Sequence, residues 1–316
     1  MTDLIRPMFP HYIDSTMLAT FRSCPQKFFR QYIQHWKPQA ESIHLVAGAA
    51  FAAGIEAARK SFFEEGRSAA DAEADGLQAL ITSYGDFDPP EGSAKTLERM
   101  CGALEFYFSE YPLGQDNMTP ITFPNGRMGI EFSFAEPLPF NHPITGDPIL
   151  YTGRADMVAN FAGGVYVVDE KTTTSLGASW SRQWEMRAQF TGYSWACHMV
   201  GIPVQGTIIR GVSILKTKYD TLQVITNRAQ FELERWLEQT VRDLQRMQQM
   251  WESGWWDYAL DHACAEYGGC SLTQICKSPD PESWLPMYFT QRVWDPLARC
   301  ELTVAEWEEL WQGETA

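Results

Sequence analysis

The sequence predicts an α/β protein in which a helical N-terminal third precedes three strands, a helix and a further strand. Three observations carry this. Apolar residues recur at helical spacing from Ser15 to Trp36 and from Val46 to Phe63. Short β-branched runs bounded by turn residues follow between Met128 and Lys171. A helical pattern from Gln183 to Met199 then separates those runs from another apolar stretch, Gly206 to Leu215.

Each element has its own signal. The first helical pattern is interrupted at Cys24-Pro25, where proline suits a helix start because its missing N–H is one that has no partner in the helix anyway. The second is Ala-rich. A third, acidic helical region follows and breaks at Asp86 to Gly92, which reads Asp-Phe-Asp-Pro-Pro-Glu-Gly. Gly129 to Phe134 and Ile149 to Asn160 read as strands, with Pro143, Thr145-Gly146-Asp147 and Pro148 as turn chemistry between them. Gly163-Gly164 signals a hairpin turn into a third strand, Val165 to Lys171. Gly201 and Pro203 close the helix over 183–199. Thr221 to Thr226 is expected to pair with Gly206 to Leu215, and Gln230 to Glu252 is a long amphipathic helix. An irregular, Cys-containing stretch follows Trp255, then a short helix from Val304 to Trp311.

With 316 residues and 45% hydrophobic content, the chain can bury one large core. Its longest apolar stretches fall well short of the roughly 20 residues that cross a bilayer, and the N-terminus lacks a basic segment followed by an apolar run. The expected location is the cytoplasm. Seven cysteines in a reducing compartment point to metal or cluster binding rather than disulfides. The net charge of -15 runs against a nucleic-acid partner. Its distribution softens that: residues 61–120 hold twelve acids against three bases, whereas residues 1–60 hold seven Lys and Arg against four acids. The acidic segment reads as a solvated helical face.

The chemistry-bearing piece is Tyr151-Thr152-Gly153-Arg154-Ala155-Asp156 followed by Val165-Tyr166-Val167-Val168-Asp169-Glu170-Lys171. Side chains alternate along a strand, so Asp169 and Lys171 share a face and Glu170 takes the other. A hairpin through Gly163-Gly164 would bring Asp156 beside Asp169. Two carboxylates can hold Mg²⁺, whose remaining positions accept water and phosphate oxygens. Such an ion lowers the pKa of bound water and offsets charge developing on a scissile phosphate, with Lys171 assisting the water. The bland reading is an ordinary ion pair at a strand end. The earlier Gly-x-x-Asp strand, the hairpin and the helix that follows favour the functional one.

In these residues the chain resembles the PD-(D/E)xK nucleases, specifically the RecB-like branch that includes the AddB nuclease domain, CRISPR-associated exonucleases and many phage proteins. The resemblance runs from about Ser15 to Cys276 and implies a restriction-endonuclease-like core, with Asp156 and Asp169 on Mg²⁺ or Mn²⁺ and Lys171 catalytic. The family's Q-x-x-x-Y motif stands as Gln189-Phe190-Thr191-Gly192-Tyr193, two residues that share a helix face. Ser15-Thr16-Met17-Leu18 and Phe21-Arg22-Ser23-Cys24-Pro25 look like the family's opening helix and its Cys-Pro, and Glu131 matches a frequent upstream acid, although a solvent-facing strand residue is the competing reading. One departure is clear. Related nucleases place a metal-binding His four residues after a helix Gly, here Gly48, and this chain has Ala52. Glu56, one turn on, is either an outer ligand or a solvated helix charge.

Cys264, Cys270 and Cys276 are separated by five residues each in an irregular stretch, poor core material. RecB-like nucleases of this kind join three C-terminal cysteines to one N-terminal cysteine, here Cys24, around a [4Fe-4S] cluster. Tetrahedral zinc is the alternative, and free thiols a third. Trp180 and Trp184 read as packing residues before base-stacking ones. The expected organisation is a helical region over 1–127 with the first cluster Cys, a nuclease core over 128–253, and a cluster-binding segment over 254–316.

The function expected is metal-dependent hydrolysis of DNA, as an exonuclease on linear single-stranded ends. Arg22, Lys27, Arg30 and Lys37 form the best local basic surface, beside a cleft between the hairpin core and the N-terminal helices. No P-loop is present, so an unwinding or recombination partner would be a separate chain. A phage recombination or DNA-processing role is what the resemblance suggests. A non-catalytic scaffold of the same fold, an endonuclease and an RNA-directed nuclease are the other readings.

Overall fold

The computed structural model describes residues 5–123, 126–260, 262–265 and 269–298. The expected helix from Val304 to Trp311 lies outside them, as does Cys300. In chain order the elements are β1 (Tyr12–Asp14), α1 (Ser15–Ser23), α2 (Pro25–Phe28), β2 (Trp36–Pro38), α3 (Ile43–Arg59), α4 (Ala69–Tyr84), α5 (Leu97–Glu110), β3 (Thr119–Pro120), β4 (Ile130–Asn141), β5 (Pro148–Phe161), β6 (Gly164–Thr173), α6 (Ala178–Arg182), α7 (Ala188–Met199), β7 (Val204–Ile214), β8 (Tyr219–Asn227), α8 (Gln230–Ser253), α9 (His262–Ala265), α10 (Thr273–Lys277), α11 (Pro281–Tyr288) and β9 (Phe289–Gln291).

Local chemistry sets many of these boundaries. The Asp14 carboxylate accepts from the Met17 N–H at 2.7 Å and starts α1, and Pro25 occupies the first turn of α2. Ser68 and Thr96 cap α4 and α5 in the same way. The β5–β6 turn is made by Ala162 and Gly163, both with positive φ (49° and 83°), so the expected turn moves back by one residue and Gly164 becomes the first residue of β6. Two positive-φ residues give the twist that a tight hairpin needs. The helix expected over 183–199 starts only at Ala188, and the Trp184 carbonyl instead accepts from Arg228 at 2.9 Å. Trp36 leaves the first helical run for β2 after His35 turns the chain with φ 65°.

Contacts divide the chain into two compact units that interleave in sequence. The first comprises Met1–Ala40, Phe134–Gly153 and Glu234–Cys300, and the second, among described residues, Glu41–Ser133 and Arg154–Leu233. The segments 1–127 and 128–253 therefore each contribute to both. In the first unit β1 runs parallel to the opening of β5, and β2 pairs antiparallel with β9. Trp36, Leu272, Ile275, Leu285 and Phe289 form a buried cluster that joins the N-terminal segment to the Cys-containing one. In the second unit the end of β5, then β6, β7 and β8 make a mixed sheet, with β6 and β7 parallel and the other pairs antiparallel. Helices α3, α4 and α5 pack around Val212 and Ile214 of β7. Gly54 and Gly76 let α3 and α4 meet backbone to backbone; a Cβ on Gly76 would stand 2.6 Å from the Gly54 carbonyl oxygen. The result is an α/β fold with a mixed sheet, consistent with a restriction-endonuclease-like core.

Candidate active site

Strand β6 carries the site on both its faces, for different purposes. Its hairpin with β5 pairs Met157 with Val168. One further step along the two strands sets Asp156 opposite Asp169, so neighbouring backbones bring the two carboxylates together. Lys171 Nζ lies 2.5 Å from Asp169 Oδ1; Asp169 is buried, and the lysine side chain is 35% exposed. The Glu170 N–H donates to Asp156 Oδ2 at 3.0 Å. Asp156, Asp169 and Lys171, singled out from the sequence, thus stand together.

The electrostatics leave this group short of positive charge. Loss of solvent raises the Asp156 carboxyl to about 7, with Asp169 and Glu170 adding repulsion and Lys171 only partly opposing it. Burial also raises Asp169, against Lys171 and the more distant Arg187. Lys171 is held above the usual lysine range because the two aspartates outweigh its own desolvation. The two carboxylates, only partly neutralised by the ammonium, are therefore a donor set that a divalent cation fits, carboxylate oxygens being what such an ion takes from protein before water and phosphate.

Gln189 and Tyr193 meet on α7 as the spacing requires, Gln189 Nε2 donating to the Tyr193 hydroxyl at 3.3 Å. Burial and then Asp169 push the tyrosine up to about 12, which keeps its hydroxyl protonated beside the carboxylates. Trp180 and Trp184 are buried at 7% and 6% exposure and pack edge to face, as core residues. Trp180 lies over Gly211, leaving no room there for a Cβ.

Glu56 is tied to other charges. It accepts from Lys60 at 2.8 Å and lies 3.7 Å from Arg154, whose Nε in turn stands 2.7 Å from Glu131 Oε2. Glu131 is buried rather than solvent-facing, in a strand but with φ 52°. Burial and then Asp156 raise its carboxyl to about 9. Its place beside Asp156, with Arg154 as its partner, is not legible in the sequence. The signal available is position alone, since Arg154 lies two residues before Asp156 and so on its face.

Glu170 is not the bystander its face suggests. Its carboxylate takes both ends of the Arg59 guanidinium and the Tyr107 hydroxyl at 3.0 Å. Arg210 reaches the same hydroxyl at 3.4 Å and clasps Asp116 with both nitrogens at 2.5 and 2.9 Å. Arg59 and Arg210 against Glu170 and Asp116 make a balanced buried network under the strand.

In the first unit, Cys24, Cys264, Cys270 and Cys276 line one pocket with Lys27, Tyr258, Leu260 and Leu272. Burial, and then the other three thiols, push the Cys276 thiol up to about 11. Cys197 is fully buried, and Cys101 half-buried, within packed helices. Of the four basic residues expected at a DNA surface, Arg22 pairs with Asp243 at 2.7 Å, Arg30 with Glu282 at 2.5 Å, and the Lys37 ammonium lies over the Tyr32 and Trp294 rings. Lys27 alone has no such partner among the described residues. No group of three or more His, Cys, Asp or Glu among the described residues stands ready-made for a metal ion. The cysteines share a pocket without closing into one.

Two acids and a lysine at the end of a β-hairpin remote from its turn, on a mixed sheet with a Gln–Tyr helix behind them, define a hydrolytic nuclease core. The family model of the PD-(D/E)XK nuclease superfamily matches residues 15–277, and the chain belongs to that superfamily. Among solved structures, a Eubacterium rectale protein provisionally named an exonuclease superposes with TM-score 0.50 at 14% identity, over 80% of this chain and 87% of that one. The protein SSO0001 aligns with TM-score 0.30 at 14% identity, over 74% and 77% of the two chains. No curated protein matches the sequence. No helix among the described residues is long and apolar enough to cross a membrane.

Proposed function

We propose that this nuclease is a Mg²⁺- or Mn²⁺-dependent exonuclease that removes nucleotides from linear single-stranded DNA. The observation that carries the reading is the charge-deficient group of Asp156, Asp169 and Lys171. Asp156 and Asp169 would hold the ion, which when bound supplies an acidified water and offsets phosphate charge. Glu56 acts at most through an outer contact, because Lys60 and Arg154 already face it. Lys171, tethered by Asp169, holds the attacking water by its remaining N–H bonds. Gln189 and Tyr193 orient the sugar-phosphate beside it.

Single-stranded substrate is favoured by exposed aromatic faces. Trp255, Tyr258, Trp284 and Tyr288 are 40% to 64% exposed, and Trp284 stacks on Tyr288 along α11. Unpaired bases stack on such rings without sequence readout. Lys27, with Arg22, Arg30 and Lys37 as secondary contacts, would follow the backbone. The four pocket cysteines, Cys24, Cys264, Cys270 and Cys276, would carry a [4Fe-4S] cluster, with Zn²⁺ as the alternative; thiolates are the donor type either takes. The protein would work in the cytoplasm, host or phage in origin, on ends opened by a separate helicase or recombinase.

The test compares equal amounts of linear and circular single-stranded DNA, with and without chelator. Linear DNA alone should disappear, only with divalent metal, and Asp156→Asn, Asp169→Asn and Lys171→Ala should each abolish the loss while the protein stays folded. Equal loss of both forms makes the enzyme an endonuclease. Chelator-resistant cutting, or none under any divalent metal, removes the catalytic assignment.

A further inference from the structure

Arg187, at the start of α7, is an exposed cation without a partner: its guanidinium makes no hydrogen bond or ion pair among the described residues. Its backbone, by contrast, is fixed. The Arg187 N–H donates to the Trp184 carbonyl at 3.3 Å, and the Arg187 carbonyl accepts from the N–H groups of Phe190 and Thr191 at 3.1 and 3.3 Å. Buried Arg228 holds both ends of that turn, donating to the Trp184 carbonyl at 2.9 Å and to the Thr191 hydroxyl at 3.0 Å. A rigid mount thus carries an unused charge.

That mount stands over the face of β6 that carries the acids. Tyr193 of α7 has Asp169, Lys171 and Asp156 as its charged neighbours, whereas Glu170, on the opposite face, is covered by Arg59 and Tyr107. Lys171 and Gln189 are only half-buried, so the site reaches solvent at their side chains, two residues from Arg187 along α7. Arg187 is within electrostatic reach of Asp169, on which it and Lys171 are the two cations that act most strongly. The other cations packed around these acids are engaged. Lys171 is held by Asp169, Arg154 by Glu131, Lys60 by Glu56, Arg59 by Glu170 and Arg210 by Asp116.

Resting on the nuclease reading above, we infer that Arg187 is a substrate-binding residue whose guanidinium grips a backbone phosphate of the DNA strand at the edge of the Asp156, Asp169 and Lys171 group. A guanidinium fork offers two parallel N–H bonds to the non-bridging oxygens of a phosphate. Two carboxylates repel an approaching phosphate, and a cation at their edge offsets that repulsion. A phosphate contact reads no base, which suits a substrate taken without regard to sequence.

The experiment is binding of a short fluorescent oligothymidylate, by anisotropy in EDTA so that nothing is cut, across about 50 to 200 mM salt. Arg187→Gln should weaken binding several-fold and make the plot of log affinity against log salt shallower by about 0.7, the slope that each neutralised phosphate of a single strand contributes. Arg187→Lys should keep the slope and lose part of the affinity, because the charge stays and the fork goes. Arg182→Gln removes another exposed charge, on α6, whose Nε donates to the Ala178 carbonyl at 3.3 Å, and should leave the slope unchanged. With Mn²⁺ present, Arg187→Gln should raise KM for linear DNA more than it lowers kcat, as loss of a ground-state contact does. Its melting temperature should stay within about 2 °C of the wild type, since an exposed charge adds little stability, so weaker binding is not a folding defect. If the wild type binds and cuts but Arg187→Gln keeps its slope and affinity, or if Arg182→Gln flattens the slope equally, the assignment of Arg187 is overturned. A wild type that neither binds the oligonucleotide nor cuts DNA overturns the nuclease reading instead.

Discussion

Removing the charge of Glu170 separates the scaffold of β6 from its chemistry. Glu170→Gln keeps the shape and one acceptor, but it leaves the Arg59 guanidinium with no countercharge where the two side chains are only 5% and 2% exposed. Breaking a buried pair from one side costs about 3–5 kcal/mol. The retained acceptor argues for the lower end, about 3 kcal/mol, and in a unit of this size that lowers the melting temperature by roughly 6–12 °C. Thermal unfolding followed by circular dichroism reads it directly. Replacing both partners, Arg59→Met with Glu170→Leu, should melt above the single variant, because no charge is then stranded. The pH dependence has a definite sign. Burial alone would raise Glu170, but Arg59, Arg210 and the Tyr107 bond together hold it below the usual range. Its contribution is therefore complete above an unfolded value of about 4.3 and is lost as pH falls through the lower folded one. A Glu170→Gln protein that melts within about 1 °C of the wild type would refute this account of the network.

Other outcomes follow from the same geometry. Asp156 and Glu131 have folded pKa values raised to about 7 and about 9, so the metal-free folded state retains protons the unfolded chain has lost. Its stability should fall as pH rises from about 4 through that window. Mn²⁺ should then raise the melt more near about pH 8 than near about pH 5.5, since it competes with those protons, and Asp169→Asn should cancel the effect in differential scanning fluorimetry. Anaerobically purified protein should be brown with bound iron, and Cys24→Ser should lose both colour and stability; one zinc per chain and no iron in elemental analysis would select the alternative. Gly76→Ala should destabilise by about 1–3 kcal/mol in urea unfolding, because the Gly54 backbone cannot move aside as a side chain can. A neutral result there would mean that α3 and α4 separate freely.

Alternation and spacing make part of this site legible in the sequence. Asp169 and Lys171 on one face and Gln189 and Tyr193 one helical turn apart follow from periods of two and about 3.6, and the burial of Trp180 and Trp184 from the default for large aromatic side chains. The order of strands and helices follows from turn residues and apolar runs. What stays hidden depends on which element meets which. Glu170 reads as a neighbour on the opposite face and no more, because nothing in Val-Val-Asp-Glu-Lys says that α3 and α5 cover that face with Arg59 and Tyr107. Gly54 and Gly76, twenty-two positions apart, read as weak points in two helices until the crossing shows that each is the room the other needs. The turn at Ala162-Gly163 falls one residue before its expected place because Ala rarely takes positive φ, and here tertiary pairing of β5 with β6 overrides that preference.

Charge accounting distinguishes the parts of β6 better than burial does. Beneath the strand, Arg59 and Arg210 meet Glu170 and Asp116, two cations for two anions, and nothing further is required. Beside it, Asp156 and Asp169 meet only Lys171, so the group lacks one positive charge. A protein selected only for stability would have little reason to keep that deficit, because swapping one residue could relieve it. A divalent cation supplies the missing charge, and the deficit then becomes a determinant of metal affinity. Ca²⁺ should bind the wild-type protein in calorimetry and bind Asp169→Asn far more weakly. Ca²⁺ binding that survives Asp169→Asn in full would mean that the ion is held elsewhere.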